Sequence, residues 1–121
     1  MPFEETDLAA LGDAVEIRIE TQAPDGPVHK TIIWVVVVDG RAFIRSYRGP
    51  GARWYREALA NPAVAAHVGD RRLAATAIRA DDPDTIERVS AAMLKKYAGD
   101  PAARSMVKDE VLETTLRLEP A

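Results

Sequence analysis

Five arginines, Arg41, Arg45, Arg48, Arg53 and Arg56, fall within residues 41–56, and no acidic residue lies among them. The chain as a whole carries a net charge of −3. A compact basic run inside an acidic protein calls for an anionic partner, because guanidinium groups bind phosphate or carboxylate through paired hydrogen bonds. Arg45 and Ser46, the amides around Gly49 and Gly51, and a helix starting near Arg53 would together form a concave anion site. The alternative is a set of solvated arginines paired with the chain's excess acids. Lys30 and Thr31 would add a charge and a hydroxyl to the same anion, or else form a charged strand end in water. The pair Trp54-Tyr55 either covers a planar ligand beside the anion or packs its helix onto the core.

Other chemistries find little footing. There is no cysteine, which excludes disulfides and thiolate chemistry and fits a reducing cytoplasmic setting. His29 and His67 stand far apart without metal-ligand spacing, so no metal site is expected. His67 lies in the apolar run AVAAHV and reads as a packed or edge residue before it reads as a base. No GxSxG, Walker or GxGxxG motif occurs. Trp34, Tyr47, Trp54 and Tyr55 could stack on bases, yet an acidic chain with one basic loop suits a single small anion better than nucleic acid. The N-terminal MPFEETDLAALGD has no apolar segment of a leader or membrane span, and no membrane partner is expected.

The elements that position these residues follow from pattern. The 121 residues, 47% hydrophobic and 29% charged, fit a single domain over 1–121. A short helix is predicted over 7–11, stopped at Gly12. Alternation of Val15, Ile17 and Ile19 with charged residues predicts a half-buried strand. Thr31 to Val38 is an unbroken run of strand formers with both faces apolar, which predicts a strand covered on one side by the core and on the other by a helix or second subunit. Asp39-Gly40 signals a type I′ hairpin into a strand over 41–47. A helix over 53–60 ends at Asn61-Pro62, and 63–68 pairs with 71–80 around Gly69-Asp70.

Asp82-Pro83 opens a helix whose stripe of Ile86, Val89, Met93 and Tyr97 faces the core, closed by Gly99. Pro101 starts a short turn or helix to Lys108, and Leu112, Thr114, Leu116 and Leu118 form the inward face of a last strand. The fold class is mainly β or α+β, a six-stranded barrel with two or three short helices, since closure removes exposed edges.

The order of apolar strand, DG hairpin, strand ending in a hydroxyl residue, arginine-glycine loop and WYREALANPAV resembles the FMN-binding split barrels of the pyridoxamine phosphate oxidase type. Within them the pattern is most similar to the DUF2255 family, and the WY-x3-L-A-N-P block is also similar to deazaflavin-dependent nitroreductases. The resemblance covers about residues 28 to 80 and is most specific over Arg53 to Val64. It implies a Greek-key split barrel, a homodimer with a flavin at the subunit interface, and an oxidoreductase acting on a small organic substrate. Position by position it implies that Lys30, Thr31 and Ile32 line the cofactor. Arg45, Ser46 and Arg48 would meet its phosphate or ribityl chain, and Arg53 with Trp54 would occupy the loop and helix start. The chain departs from the oxidases' Ser-Arg-Lys block, showing Ser46-Tyr47-Arg48 instead, and lacks the glycine-lysine-serine lead of the deazaflavin enzymes. FMN is therefore the first cofactor expected, a deazaflavin the second, and a dimeric binding or scaffold protein without flavin the alternative.

Overall fold

A computed structural model describes residues 3–121. In chain order the elements are α1 (Glu5–Asp13), β1 (Ile17–Gln22), β2 (Val28–Ile33), β3 (Val35–Val38), β4 (Arg41–Ile44), α2 (Arg53–Ala60), β5 (Ala63–Val68), β6 (Arg71–Arg79), α3 (Pro83–Lys96), α4 (Asp109–Leu112) and β7 (Leu116–Pro120). Single 3-10 segments occupy Gly49–Gly51 and Pro101–Val107. No helix among the described residues is long and apolar enough to cross a membrane.

All strands join one antiparallel sheet in the order β2-β1-β5-β6-β7-β4-β3. Its two edges, β2 and β3, are consecutive pieces of chain separated by Trp34 alone. The ends of the sheet therefore meet at that residue, which curls the sheet into a split barrel. Ile33 pairs with Ile17 on β1, and two residues later Val35 pairs with Ile44 on β4.

This corrects the count of six strands to seven, because the run Thr31 to Val38 breaks at Trp34. The break has a physical cause at the end of α3. The Val35 amide donates to the Tyr97 hydroxyl at 3.3 Å, and the Val35 carbonyl accepts from Lys96 Nζ at 2.7 Å. The Tyr97 hydroxyl in turn donates to the Val15 carbonyl at 2.7 Å. The Trp34 ring lies flat on the Tyr97 ring, centroids 3.7 Å apart and planes 7° from parallel. Side chains more than sixty residues away thus take over backbone groups that would otherwise continue a ladder.

Coverage of both faces holds for β3 and not for β2. Val35 packs inside the barrel with Leu11 of α1, while Val36 faces Val89, Met93 and Tyr97 of the α3 layer. On β2 the outward residues Val28, Lys30 and Ile32 are exposed, Ile32 by 62%. Two apolar clusters result, one inside the barrel and one between the sheet and α3. Each fully buried Ile, Leu or Val in them contributes roughly 1.5–3 kcal/mol of transfer free energy.

Local signals act as their chemistry demands. Asp39 and Gly40 have φ of 51° and 74°, both positive as a type I′ turn requires. Asp82 caps α3 by accepting from the Thr85 amide at 3.0 Å, with Pro83 in the first turn. Helix α1 runs through Gly12 to Asp13 rather than stopping there, and Lys96 Nζ caps it at the Leu11 carbonyl. Tyr97, not Gly99, ends α3. The last strand begins at Leu116: Leu112 lies in α4, and Thr114 sits in a turn with its hydroxyl on the Val111 carbonyl at 2.6 Å.

On the outer face of the sheet, Glu20 of β1 accepts from Arg72 Nη2 and His67 Nε2, each at 2.7 Å. The Arg72 hydrogen bonds, with His67 assisting, overcome burial and lower the Glu20 carboxyl from 4.5 to about 2. A carboxyl depressed in the folded state stabilises fully above its unfolded value, and that contribution is lost as pH falls through the folded one. Stability should therefore drop between pH 4.5 and about 2, and Arg72→Ala should flatten that slope in urea unfolding series run across the window. An unchanged slope would remove the assignment. Tyr97→Phe, which keeps the stacking and deletes the hydroxyl, should cost about 1–3 kcal/mol by urea denaturation because it leaves buried backbone groups unpaired.

Candidate functional site

The five arginines of the 41–56 run do not converge. Arg41 opens β4 at the far end of that strand, Arg56 is exposed on α2, and Arg53 reaches one turn forward along its own helix to Glu57 at 3.9 Å. Arg45 and Arg48 are left at one cavity of about 340 Å³.

Arg45 follows the last residue of β4 and is 1% exposed. Its Nε donates to the Thr115 hydroxyl at 2.8 Å, and its Nη1 to the Ser90 hydroxyl at 2.8 Å and the Met106 carbonyl at 2.9 Å. Nη2 donates to the Ile86 carbonyl at 2.8 Å. All four acceptors are neutral, and among the described residues no carboxylate pairs with this cation. Burial lowers its pKa from the ordinary guanidinium range to about 10, so it stays protonated at neutral pH. A guanidinium has five N–H groups, which leaves one on Nη2 uncommitted.

The cavity that Arg45 helps to line lies at the bend between β2 and β3. Ile32, Ile33 and Trp34 form one wall, Trp54 and Ala52 another, and Ala102 with Met106 from the second 3-10 segment a third. Arg45, Ser46, Tyr47 and Arg48 supply its polar end. Among the described residues no acidic one lines it. Thr31 also contributes, and its Oγ1 is buried without a hydrogen-bond partner, an arrangement that costs roughly 1–3 kcal/mol until something fills it. Ser46 is fully buried; its hydroxyl donates to the Gly49 carbonyl at 2.7 Å and its amide to the Thr114 hydroxyl at 2.9 Å. Gly49 holds φ of 77°, which turns the chain sharply and brings Arg48 to the cavity rim.

The cavity thus gathers Thr31, Ile32, Arg45, Ser46, Arg48 and Trp54, and leaves out Lys30 and Arg53. Lys30 is on the outward face of β2, one residue out of phase with Thr31. Among the lining residues that sequence reasoning did not assign to the site are Trp34, Ala102 and Met106. Trp34 is placed by the strand break and the other two by a 3-10 segment whose sequence, PAARSMV, carries no binding signal.

Trp54 is held by α2, and α2 is held by its own polar contact. Glu57 accepts from the Thr21 hydroxyl at 2.9 Å and meets His29 Nδ1 at 3.1 Å. Burial pushes the Glu57 carboxyl up, but Thr21, His29 and Arg53 together outweigh it and leave the carboxyl below its ordinary value. Both histidines are thereby engaged by acids, His29 by Glu57 and His67 by Glu20, and neither lines the cavity. Among the described residues no group of three or more His, Asp or Glu side chains could hold a metal ion.

A family model described as "Uncharacterized protein conserved in bacteria (DUF2255)" matches residues 7–118. The chain belongs to the DUF2255 family. No curated protein matches it. Solved structures similar to this DUF2255 chain include a candidate pyridoxamine 5′-phosphate oxidase from Listeria innocua, 18% identical with a TM-score of 0.69 over 96% of this chain and 91% of that one. An F420-H2-dependent reductase is 18% identical, TM-score 0.67, over 87% and 94% of the two chains. The heme storage protein HutZ from Vibrio cholerae is 16% identical, TM-score 0.71, over 100% and 92%. At these identities the likeness is one of fold: the DUF2255 chain is a split barrel of the pyridoxamine phosphate oxidase type.

Replacing Arg45 by Lys puts a point charge with three donors where a planar fork spans four acceptors. Arg45→Lys should lower stability by about 2–4 kcal/mol in urea denaturation, since at least one buried acceptor loses its donor. A change below about 1 kcal/mol would show that the network is not what holds the layers together.

Proposed function

We propose that this DUF2255 protein binds a flavin-type cofactor in the 340 Å³ cavity, FMN in the first place and a deazaflavin in the second. It would use that cofactor as a homodimeric oxidoreductase acting on a small organic substrate. The observation that carries this reading is the buried Arg45 cation without a carboxylate at the polar end of an otherwise apolar, aromatic cavity. Such a field favours an anionic group attached to a planar body.

The residues present fit the group. Arg48 and the remaining Nη2 hydrogen of Arg45 would hold a phosphate, with Lys30 and Arg53 outside the cavity as longer-range charges. Trp34, Trp54 and Ile32 would flank the ring, and the unpartnered Thr31 hydroxyl would donate to a polar atom at its edge. A bound flavin supplies transfer of a hydride equivalent. The chain's part would be to bind and orient, since among the described residues no carboxylate or imidazole lines the cavity and the Ser46 hydroxyl is spent on the Gly49 carbonyl. Ile32, 62% exposed on the outward face of β2, borders the cavity and gives a second copy an apolar seat next to it. A heme-binding reading, suggested by the HutZ likeness, lacks an imidazole at the cavity.

A second reading is favoured by one observation: four of the Arg45 N–H groups and the Ser46 hydroxyl proton are already used inside the protein. On that reading the barrel is a dimeric binding or scaffold protein without flavin, and the cavity takes another anion or none.

The two readings separate on the visible absorption of freshly purified protein and on FMN titration. The protein's two tryptophans, Trp34 and Trp54, both line the cavity, so FMN should quench most of its fluorescence. Arg48→Ala should weaken FMN about tenfold or more, about 1.4 kcal/mol, and Thr31→Val by a smaller factor, while Arg56→Ala changes nothing. A colourless protein whose fluorescence and melting temperature ignore both FMN and deazaflavin sinks the flavin reading and leaves the scaffold one.

A further inference from the structure

Arg41, one of three arginines of the run that the cavity does not use, lines a second hollow of about 310 Å³ toward the other end of β4. There β4, β7 and the first turns of α3 come together. Arg41 and Phe43 share the outward face of β4, Arg117 of β7 pairs directly opposite Phe43, and Arg88 arrives from α3. Val38 and the nearly buried Phe43 give the hollow an apolar side, and Thr85 places a hydroxyl at its edge.

The charge balance of this hollow is uneven. Three guanidiniums line it against one carboxylate, Asp39. Arg88 holds Asp39 at 2.6 Å and Asp84 at 3.1 Å, but those acids are 69% and 71% exposed, where water and salt screen the pairing. Arg117 is paired along its own strand with Glu119 at 2.8 Å. Arg41 has no acidic partner among the described residues. Arg41 is thus the guanidinium left over, and a phosphate has enough acceptor oxygens to join it to Arg88 and Arg117.

We infer that this hollow is a second anion site, which takes a small phosphate monoester with an apolar body: the phosphate among Arg41, Arg88 and Arg117, the body against Val38 and Phe43. The phosphate displaces Asp39 from Arg88, because it carries close to two charges and accepts bidentate hydrogen bonds from more than one guanidinium. The site is independent of the first cavity and of whether that cavity holds a flavin.

Backbone amide NMR of the full chain, titrated with phenyl phosphate and with sodium chloride at matched ionic strength, tests it. Saturable shifts confined to Asp39, Gly40, Arg41, Thr85, Arg88 and Arg117 are expected. Inorganic phosphate should bind the same residues more weakly, for want of the apolar body. Arg41→Ala, at an exposed position, should keep the folded spectrum and weaken phenyl phosphate about tenfold or more. Arg41→Lys should fall between, and Arg48→Ala at the other cavity should leave the binding unchanged. Shifts that sodium chloride reproduces, or that survive Arg41→Ala, overturn the site, and benzoate binding as tightly as phenyl phosphate overturns phosphate recognition.

Discussion

The structure turns on one buried cation. The Arg45 guanidinium reaches from the end of β4 to Ile86 and Ser90 on α3, Met106 on the second 3-10 segment, and Thr115 just before β7. Moving a cation out of water costs several kcal/mol, and hydrogen bonds from a charged donor return roughly 1.5–3 kcal/mol each. Four well-formed bonds offset that cost only if all four acceptors stay in place, so the charge makes the layer of α3 and its following segment an integral part of the barrel. Apolar packing of Val36, Phe43, Val89 and Met93 adds attraction between the same layers but no directionality. The guanidinium supplies the directionality.

The same arrangement explains why the cavity sits where it does. The Arg45 network fixes one wall by holding Met106, and the Trp34–Tyr97 stack fixes another by breaking the strand. Both depend on α3, one on its first half and one on its last residues. Glu57, with Thr21 and His29, sets the third wall by seating α2 and therefore Trp54. Each wall thus has a polar anchor outside the cavity, which leaves the lining itself largely apolar apart from the arginine end.

Much of this was legible in the chain. Asp39-Gly40, the Asp82-Pro83 cap and the stop at Asn61-Pro62 are local codes, and each acts where its chemistry puts it. The resemblance carried by the WYREALANP block led to the split barrel and to the family. What escaped was non-local. VVVV after Trp34 reads as a continuation of TII because the hydroxyl and ammonium that interrupt the ladder belong to Tyr97 and Lys96. The five arginines read as one patch because sequence proximity hides strand direction: Arg41 and Arg45 stand at opposite ends of β4. Thr114 and Thr115 read as strand residues because β-branched propensity is shared by strands and by turns whose hydroxyls bond backwards to the chain.

The place of β7 in the sheet has a consequence for how the protein is made. Six strands precede it in the chain, yet it lies between β6 and β4 and joins the four-stranded piece β2-β1-β5-β6 to the hairpin β4-β3. During synthesis, at about 5–20 residues per second, the inner edge of β4 stays without a partner until residues beyond Leu116 leave the ribosome. The apolar hairpin VVVVDGRAFI is the part left waiting. The nascent chain accordingly carries an unpaired, aggregation-prone edge for seconds before β7 arrives to seal the sheet.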